Sequence, residues 1–298
     1  MSGLGHRPIL IAGPTASGKS ALALQLAREN NGVIINADSQ QIYREWRVLS
    51  ARPSPEEEAR AAHHLYGHVC LAQDYSVGHW LRDLEPVLDS VRAAGQTPII
   101  VGGTGLYFRA LTQGLAEIPA IPDDTKTRSE AELERMGLAA FAEALAARDP
   151  ETAAQTDLAN PRRVLRAWDV LEATGRGLAD WRAATPPPLI RLEDARALAL
   201  VPPRDWLYAR CEERFDQMIA TGAVDEVRAV RDTFDPLPDL KAVGARELLA
   251  HLNGDMSLEE AVATAKTETR RYAKRQLTWI RNQMADWPIV DPTDGDGD

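Results

Sequence analysis

The stretch from Gly13 to Ser20 constrains the fold of this chain more than any other feature. Its sequence, Gly-Pro-Thr-Ala-Ser-Gly-Lys-Ser, matches the pattern G-x-x-x-x-G-K-[ST] in full. An apolar run at residues 8–12 precedes it, and an apolar pattern with helical spacing at residues 18–30 follows it. This order is typical of a P-loop, whose backbone N–H groups and helix start bind phosphate. The predicted phosphate contacts are Gly13, Pro14, Thr15, Ala16, Ser17, Gly18, Lys19 and Ser20.

Further apolar runs predict buried strands at residues 33–35, 97–101 and 196–201. Apolar residues at spacings of three and four predict an amphipathic helix over residues 77–91, and further helical patterns occupy residues 207–219 and, over a longer stretch, 258–284. Buried strands that alternate with helices indicate a parallel sheet with helices on both faces. The predicted fold class is therefore α/β, with a P-loop-type parallel sheet.

The strand pattern stops near Leu115 and returns near Arg196, and prolines separate helical stretches in between. We therefore predict a P-loop catalytic core from residues 1–116 and 197–290, with an all-helical insertion domain at 117–196. The last eight residues, 291–298, contain four Asp and no Lys or Arg, which predicts an acidic, disordered tail.

Composition narrows the cellular setting. No apolar run approaches the roughly 20 residues that a membrane span needs, and the first eight residues lack the layout of a secretory signal. Only two cysteines occur, Cys70 and Cys211, which is too few for a disulfide framework. We expect a cytoplasmic protein with no membrane partner.

Two polar segments follow predicted strands and should meet at the carboxyl edge of the sheet, where open α/β folds bind ligands. Asp38 comes soon after the strand at 33–35, and it could be a metal ligand, a general base or a helix cap. Thr104 lies in the Gly-Gly-Thr-Gly segment after the strand at 97–101, which is either a ligand contact or a plain turn. His63, His64, His68 and Cys70 do not have the spacing of a zinc site.

The net charge of −10 argues against a nucleic-acid partner, yet a local basic stripe argues for one. The stripe lies in the predicted long helix and includes two aromatic residues, Tyr272 and Trp279. Its basic members are Arg270, Arg271, Lys274, Arg275 and Arg281. Arginines bind phosphates and aromatic rings stack on unpaired bases, but a solvated helix face would look the same. A second cluster at Arg162, Arg163 and Arg166 lies in the insertion.

These residues leave three classes of protein open. The first is a P-loop transferase with a diphosphate-bearing substrate, and the second is a small-molecule kinase that uses ATP. A kinase would normally carry an acidic residue at the end of a further strand to help hold Mg²⁺, but the strands at 97–101 and 196–201 end in Gly-Gly and Pro-Pro. The third is a regulatory P-loop protein that binds RNA without turnover.

Several segments together resemble the tRNA dimethylallyltransferases, also called tRNA isopentenyltransferases. They appear in the family's order along almost the whole chain, and the first and last are the most specific. The segments are GPTASGKS at 13–20, DSQQIY at 38–43, VGGTGLY at 101–107, PRRVLR at 161–166, RCEERF at 210–215, AVG at 242–244 and KRQLTWIR at 274–281.

The resemblance implies transfer of a dimethylallyl group from dimethylallyl diphosphate to N6 of adenine 37, beside the tRNA anticodon. The P-loop would then hold a diphosphate leaving group, with Mg²⁺ as cofactor and Ser20 as a metal ligand. Matching positions imply that Asp38 is the base on the adenine amine, that Thr104 helps to position the site, and that Arg214 contacts the diphosphate. The adenine would have to be flipped out of the anticodon loop to reach these groups. We expect the chain to act as a monomer.

The resemblance also implies contacts with the tRNA anticodon stem-loop. The matching positions are Asp38, Ser39, Gln40, Gln41, Thr104, Lys126, Arg162, Arg163, Val164, Leu165, Arg166, Lys241, Ala242, Val243, Gly244, Ala245, Arg246, Lys274, Arg275, Gln276, Leu277, Thr278, Trp279, Ile280 and Arg281. Three places depart from the family pattern. Glu-Trp-Arg-Val-Leu at 45–49 stands where Gly-Met-Asp-Ile-Gly is usual, Ala245 replaces a Tyr, and Arg162 replaces a Gln. Arg128 is an alternative to Lys126 for one contact.

Overall fold

The computed structural model describes residues 7–294 and separates the chain into two compact units. The first unit consists of Met1–Thr112 and Leu189–Asp298, and the second is Gln113–Pro188. Among residues 7–294, no helix is both long enough and apolar enough to cross a membrane.

The first unit contains a parallel sheet of six strands in the order β3-β2-β4-β1-β5-β6. The strands are β1 (Ile9–Ala12), β2 (Gly32–Asn36), β3 (His63–His64), β4 (Thr97–Gly102), β5 (Arg196–Leu200) and β6 (Ile289–Val290). The four central strands confirm the predicted ones. The edge strands β3 and β6 have only two residues each, which is too short for a pattern of apolar residues to mark them.

Helices account for most of the remaining chain. Those of the first unit are α1 (Lys19–Glu29), α2 (Pro55–Glu58), α3 (Val77–Ala93), α4 (Gly105–Gln113), α10 (Arg204–Ala220), α11 (Ala223–Thr233), α12 (Ala245–Leu252) and α13 (Leu258–Gln283). Those of the second unit are α5 (Asp123–Met136), α6 (Leu138–Arg148), α7 (Pro150–Ala154), α8 (Pro161–Thr174) and α9 (Leu178–Ala183).

Both faces of the sheet are covered, as the α/β prediction requires. Successive side chains of a strand point to opposite faces. In β1, Ile9 and Ile11 therefore pack with Leu24 of α1, whereas Leu10 packs on the other side with Leu84 of α3. This arrangement confirms the predicted P-loop-type parallel sheet with helices on both faces.

A further apolar cluster joins α10, α11, α12 and α13 to the segment that follows β2. It includes Tyr43 and Trp46 from that segment, Phe215 from α10, Val227 from α11 and Ala265 from α13. Helices α11 and α12 were not predicted from the sequence, and each turns its apolar face toward neighbours that come from distant parts of the chain.

The second unit contains only helices, with its own core around Phe141, Val164 and Trp168. The sequence analysis placed the insertion at 117–196, whereas this unit ends at Pro188. The predicted C-terminal boundary of the insertion was wrong, because Ile190 and Ala195 pack into the core of the first unit. Arg196 is already the first residue of β5.

The acidic tail is only partly described. The Thr293 N–H donates to Asp291 Oδ1 at 2.9 Å, so the tail begins with a local turn. Its remaining residues, 295–298, lie outside the described residues, as do residues 1–6.

Candidate active site at the carboxyl edge of the sheet

The P-loop turns sharply between β1 and α1. Ala16 and Gly18 have φ angles of 63° and 85°, a left-handed conformation that glycine adopts without strain. Gly18 caps the N-terminus of α1, and the Gly13 N–H donates to the Gly102 carbonyl at 3.2 Å. The second contact ties the loop to the end of the neighbouring strand β4, so the P-loop and the Gly102–Gly105 turn form one edge.

Lys19 is buried within this loop, and its ammonium group donates to the Pro14 carbonyl at 3.1 Å. Burial lowers the pKa of Lys19, the Asp38 carboxylate partly opposes this effect and the Arg214 guanidinium adds to it, so that the pKa is about 8. Lys19 therefore carries an incompletely compensated positive charge at the point where the loop would hold an anion.

Two arginines of α10 reach the P-loop from the other side. The Arg214 guanidinium donates to the Thr15 hydroxyl, and Arg210 Nε donates to the Ala16 carbonyl at 3.2 Å. Burial lowers the pKa of Arg214. The sequence analysis named Arg214 but missed Arg210. A spacing of four residues on one helix is the signal that could have found it, since such residues lie on the same helix face.

Asp38 lies just past β2 and is 6% exposed. Its Oδ1 accepts from the Gln40 N–H at 3.0 Å, and its own N–H donates to Asn36 Oδ1 at 2.8 Å. No helix begins within residues 39–47, so the helix-cap alternative for Asp38 is wrong. The absence of a side chain at Gly103 leaves room for the other carboxylate oxygen, which is 3.1 Å from the position that a Cβ there would take.

Thr104 joins the ends of β2 and β4. Its hydroxyl accepts from the Ser39 N–H at 2.8 Å and donates to the Ser39 hydroxyl at 3.1 Å. Its backbone N–H donates to the Ala37 carbonyl at 3.2 Å. Thr104 is thus more than a member of a plain turn, because it fixes the residue that follows Asp38.

One cavity brings together Lys19, Asp38 and Arg214. Its polar wall comes from the P-loop, Asp38, Arg214 and Tyr272, while its apolar wall comes from the segment after β2, from α10 and from the residues just before α12. The apolar residues are Leu49, Phe215, Met218 and Val243. A cavity that has cations at one end and apolar side chains beside them suits a ligand with a diphosphate group and a short hydrocarbon chain.

Residues 45–49, which depart from the family pattern, contribute Leu49 to this wall. Glu226 of α11 binds the backbone of this segment. The Glu226 carboxylate accepts from three successive backbone N–H groups, those of Arg47 at 2.7 Å, Val48 at 2.6 Å and Leu49 at 3.0 Å. The contact uses backbone atoms only, so it tolerates the altered side chains at 45–49. Nothing in the sequence pattern pointed to Glu226.

We expect Glu226→Ala to loosen this wall. Three backbone N–H donors would lose their acceptor. An N–H group left without a partner in a buried position costs about 1–3 kcal/mol of stability. The free energy of unfolding, measured by chemical denaturation, should fall by an amount in this range. Asp225→Ala is the matched control, because that neighbouring carboxylate is exposed and pairs with Arg228. Equal effects of the two variants would contradict the role of Glu226.

Helix α13 separates the basic octapeptide 274–281 into two faces. The side chains of Lys274, Arg275, Thr278 and Arg281 are exposed, whereas those of Gln276, Leu277 and Ile280 are buried in the first unit. Trp279 is half-buried and lies against Gly105. Only part of this predicted tRNA segment therefore presents side chains at the surface.

The other predicted tRNA positions are also divided between surface and interior. In the first unit, Lys241 and Arg246 are exposed and both pair with Asp239, while Ala242 and Ala245 are buried. Gln40, Gln41 and Val243 line the cavity. The Val243 N–H donates to Gln40 Oε1 at 3.1 Å. The Gln41 side chain donates to the Ser50 and Ala51 carbonyls.

In the second unit, the three arginines of α8 are exposed, as is Lys126, which pairs with Asp123. Val164 is buried and Leu165 is half-buried in the unit's own core. Arg128, the alternative to Lys126, pairs with Asp124.

A parallel sheet with a P-loop and a buried carboxylate at its carboxyl edge places this chain in the class of P-loop α/β proteins. A family model described as IPP transferase matches residues 41–283, and one described as isopentenyl transferase matches residues 7–66. A protein named tRNA dimethylallyltransferase from Cereibacter sphaeroides is 56% identical over 94% of this chain and 88% of its own length. A protein of the same name from Dinoroseobacter shibae is 54% identical over 96% of this chain and 95% of its own length.

Solved structures agree with these relatives. The tRNA isopentenylpyrophosphate transferase of Bacillus halodurans is 33% identical, with a TM-score of 0.67 over 96% of this chain and 90% of that chain. A eukaryotic dimethylallyltransferase acting on tRNA has a TM-score of 0.81 at 26% identity, over 95% of this chain and 73% of that chain. This chain belongs to the tRNA dimethylallyltransferase family.

Proposed function

We propose that this protein transfers a dimethylallyl group from dimethylallyl diphosphate to N6 of adenine 37 in tRNA. The observation that carries the proposal is a single cavity in which a cationic P-loop faces a buried carboxylate, with an apolar wall beside them. In the reaction the bond between the allylic carbon and the diphosphate oxygen breaks. A bond from N6 to that carbon forms, and N6 gives up a proton.

The leaving diphosphate gains negative charge as its bond to carbon breaks. Lys19, Arg214 and the backbone N–H groups of the P-loop are positioned to stabilise that charge, which lowers the barrier in a site sheltered from water. Because Lys19 and Arg214 are already held within the P-loop by hydrogen bonds, little rearrangement is needed at the moment of reaction.

Asp38 is the proposed base for the N6 proton, and general bases of this kind contribute about 10²–10⁴-fold to rate. Adenine N6 is a weak nucleophile because its lone pair delocalises into the ring, so removal of its proton supports bond formation. Since Asp38 is buried, the adenine has to leave the anticodon loop stack to reach it. Thr104 positions this side of the site through Ser39.

The residues present fit Mg²⁺ only if phosphate oxygens of the bound dimethylallyl diphosphate supply further ligands. Ser20 and Asp38 line the same cavity, and no group of three His, Cys, Asp or Glu side chains within residues 7–294 could hold a metal alone. Mg²⁺ in proteins is commonly held by one or two side chains plus substrate phosphate oxygens. Ser20 would hold the ion, which when bound would offset charge on the diphosphate.

One experiment separates this function from its rivals. The protein is incubated with anticodon stem-loop RNA and either labelled dimethylallyl diphosphate or labelled ATP. Label that enters RNA from the prenyl donor supports the proposal. Phosphorylation from ATP would indicate a kinase, and binding of RNA without turnover would indicate a regulatory protein. Since the acceptor is tRNA, we also propose that the protein acts in the cytoplasm, and we propose that it does so as a monomer.

The exposed face of α13 is the proposed RNA surface, and charge removal there tests it. Within the described part of the chain, Arg275 and Arg281 lie within ion-pair distance of no acidic side chain. We expect Arg275→Gln with Arg281→Gln to weaken tRNA binding and to lower the slope of log affinity against log salt by about 1–2, because each phosphate contact contributes nearly one unit.

Arg271→Gln is the matched control, since Arg271 is exposed on the same helix but pairs with Glu268. An unchanged salt slope in a double variant that folds normally would show that the exposed face of α13 is merely solvated.

A further inference from the structure

Gln276 of α13 connects the two halves of the catalytic cavity. Its side chain is 6% exposed and lies between the P-loop and the turn that follows β4. Its Oε1 accepts from the Thr15 N–H at 2.8 Å, and its Nε2 donates to the Gly103 carbonyl at 3.0 Å. Thr15 belongs to the phosphate-binding loop, while Gly103 lies against the Asp38 carboxylate.

The chemistry of the two partners sets the orientation of this amide. A backbone N–H needs an acceptor and a carbonyl needs a donor, so only one orientation of the Gln276 amide satisfies both. The fit is close, since a Cβ added to Gly103 would lie 2.1 Å from Gln276 Nε2. A buried amide with both ends paired is costly to replace by an apolar side chain, because the backbone groups then lose their partners.

We infer that Gln276 is a positioning residue, which holds the P-loop and the Asp38 side of the cavity at a constant separation. The inference rests on the proposed function. Two groups act on the substrates from opposite sides: Lys19 on the leaving diphosphate and Asp38 on the adenine amine. Their separation sets how well the attacking nitrogen aligns with the allylic carbon, and a misplacement of about 1 Å can cost about 10²-fold in rate. Although Gln276 falls in a segment that resembles a tRNA contact, its buried side chain acts on the enzyme itself.

Two variants separate positioning from packing. Gln276→Met keeps the length and bulk of the side chain but removes both hydrogen bonds. Gln276→Glu keeps the shape, yet its ionised form only accepts, so it cannot donate to the Gly103 carbonyl. A protonated carboxyl group can both donate and accept, and burial favours that neutral form. Gln276→Glu should therefore recover function as pH falls. Gln283→Glu is the matched control, because Gln283 is exposed on the same helix.

Single-turnover rates at saturating donor and tRNA, from pH 6 to 9, measure the effect. We expect Gln276→Met to be slower than wild type by about 10–10²-fold at every pH. The ratio of Gln276→Glu to wild type should rise as pH falls, whereas Gln283→Glu should match wild type throughout. Taking the ratio removes the pH effects that the variant and the wild-type protein share. Affinity for tRNA should stay within about twofold, since Gln276 does not reach the surface.

The opposing outcomes are distinct. A loss of tRNA affinity with an unchanged chemical step would make Gln276 an RNA contact. Slower turnover of Gln276→Glu with a ratio independent of pH would make it a packing residue. Inorganic diphosphate binding, followed by calorimetry, tests the P-loop contact without turnover, and unchanged affinity in Gln276→Met would overturn the inference. Failure of the wild-type protein to transfer the prenyl group would instead count against the proposed function.

Discussion

Asp38→Ala is expected to lose prenyl transfer by about 10²–10⁴-fold while it still binds tRNA and the diphosphate donor. A carboxylate at this place can accept the N6 proton, but it repels the diphosphate and so adds little to donor affinity. The loss should therefore appear in the chemical step. Single-turnover rates at saturating donor measure that step separately from binding.

The pH of this comparison matters, because the Asp38 carboxylate helps to keep Lys19 protonated. Removal of Asp38 lowers the pKa of Lys19 further, so the assay belongs near pH 7, where Lys19 keeps most of its charge. Asp38→Asn is the companion variant, since it preserves the acceptor for the Gln40 N–H but cannot take up a proton. Near-normal turnover in both variants would refute the assignment of Asp38 as base.

Lys19→Met should lose donor affinity and rate together. A hydrogen bond to a charged group contributes about 1.5–3 kcal/mol, which is about 10–10²-fold in affinity for the diphosphate. Stabilisation of the leaving group adds about 10²–10³-fold in the chemical step. Equilibrium binding of inorganic diphosphate and single-turnover rates at saturating donor measure the two losses. An effect on the rate alone would show that the bound diphosphate does not contact Lys19.

Donor affinity should also depend on pH through Lys19. In the free protein its pKa is about 8, so the ammonium form dominates below pH 8 and is lost as pH rises. A bound diphosphate raises the pKa of Lys19, so binding above pH 8 takes up a proton and affinity falls with rising pH. Phosphate groups finish ionising near pH 6, so they do not titrate in this range. Lys19→Met should show no such fall between pH 8 and pH 10.

Much of the catalytic edge could be predicted from local sequence. The P-loop is one continuous segment whose glycines, lysine and serine act within a few residues of each other, so the pattern contains the loop part of the phosphate site, while Arg214 comes from α10. Asp38 and Thr104 follow buried strands, and the carboxyl ends of parallel strands necessarily meet at one edge. The structure places both residues there, joined through Ser39.

In the predicted tRNA segment at 274–281, the local sequence did not reveal which side chains face the surface. A match to the family pattern treats all eight residues alike, but a helix gives successive side chains different environments. Gln276 turned inward to the P-loop, while Arg275 and Arg281 remained exposed. The boundary near 196 failed for a related reason, since Ile190 has no strand pattern and joins the first core only through tertiary packing.

The sequence by itself determined the four central strands, the P-loop and the side chains available for chemistry, because these depend on short-range patterns of apolar residues and on backbone conformation. Only the tertiary structure decided which distant groups complete the site. Glu226 lies about 180 residues from the backbone N–H groups that it binds, and Gln276 lies 261 residues from Thr15. A side-chain amide or carboxylate has no local preference that reveals its partner. Its role is set when packing of α11 and α13 buries it beside backbone groups that need a hydrogen bond.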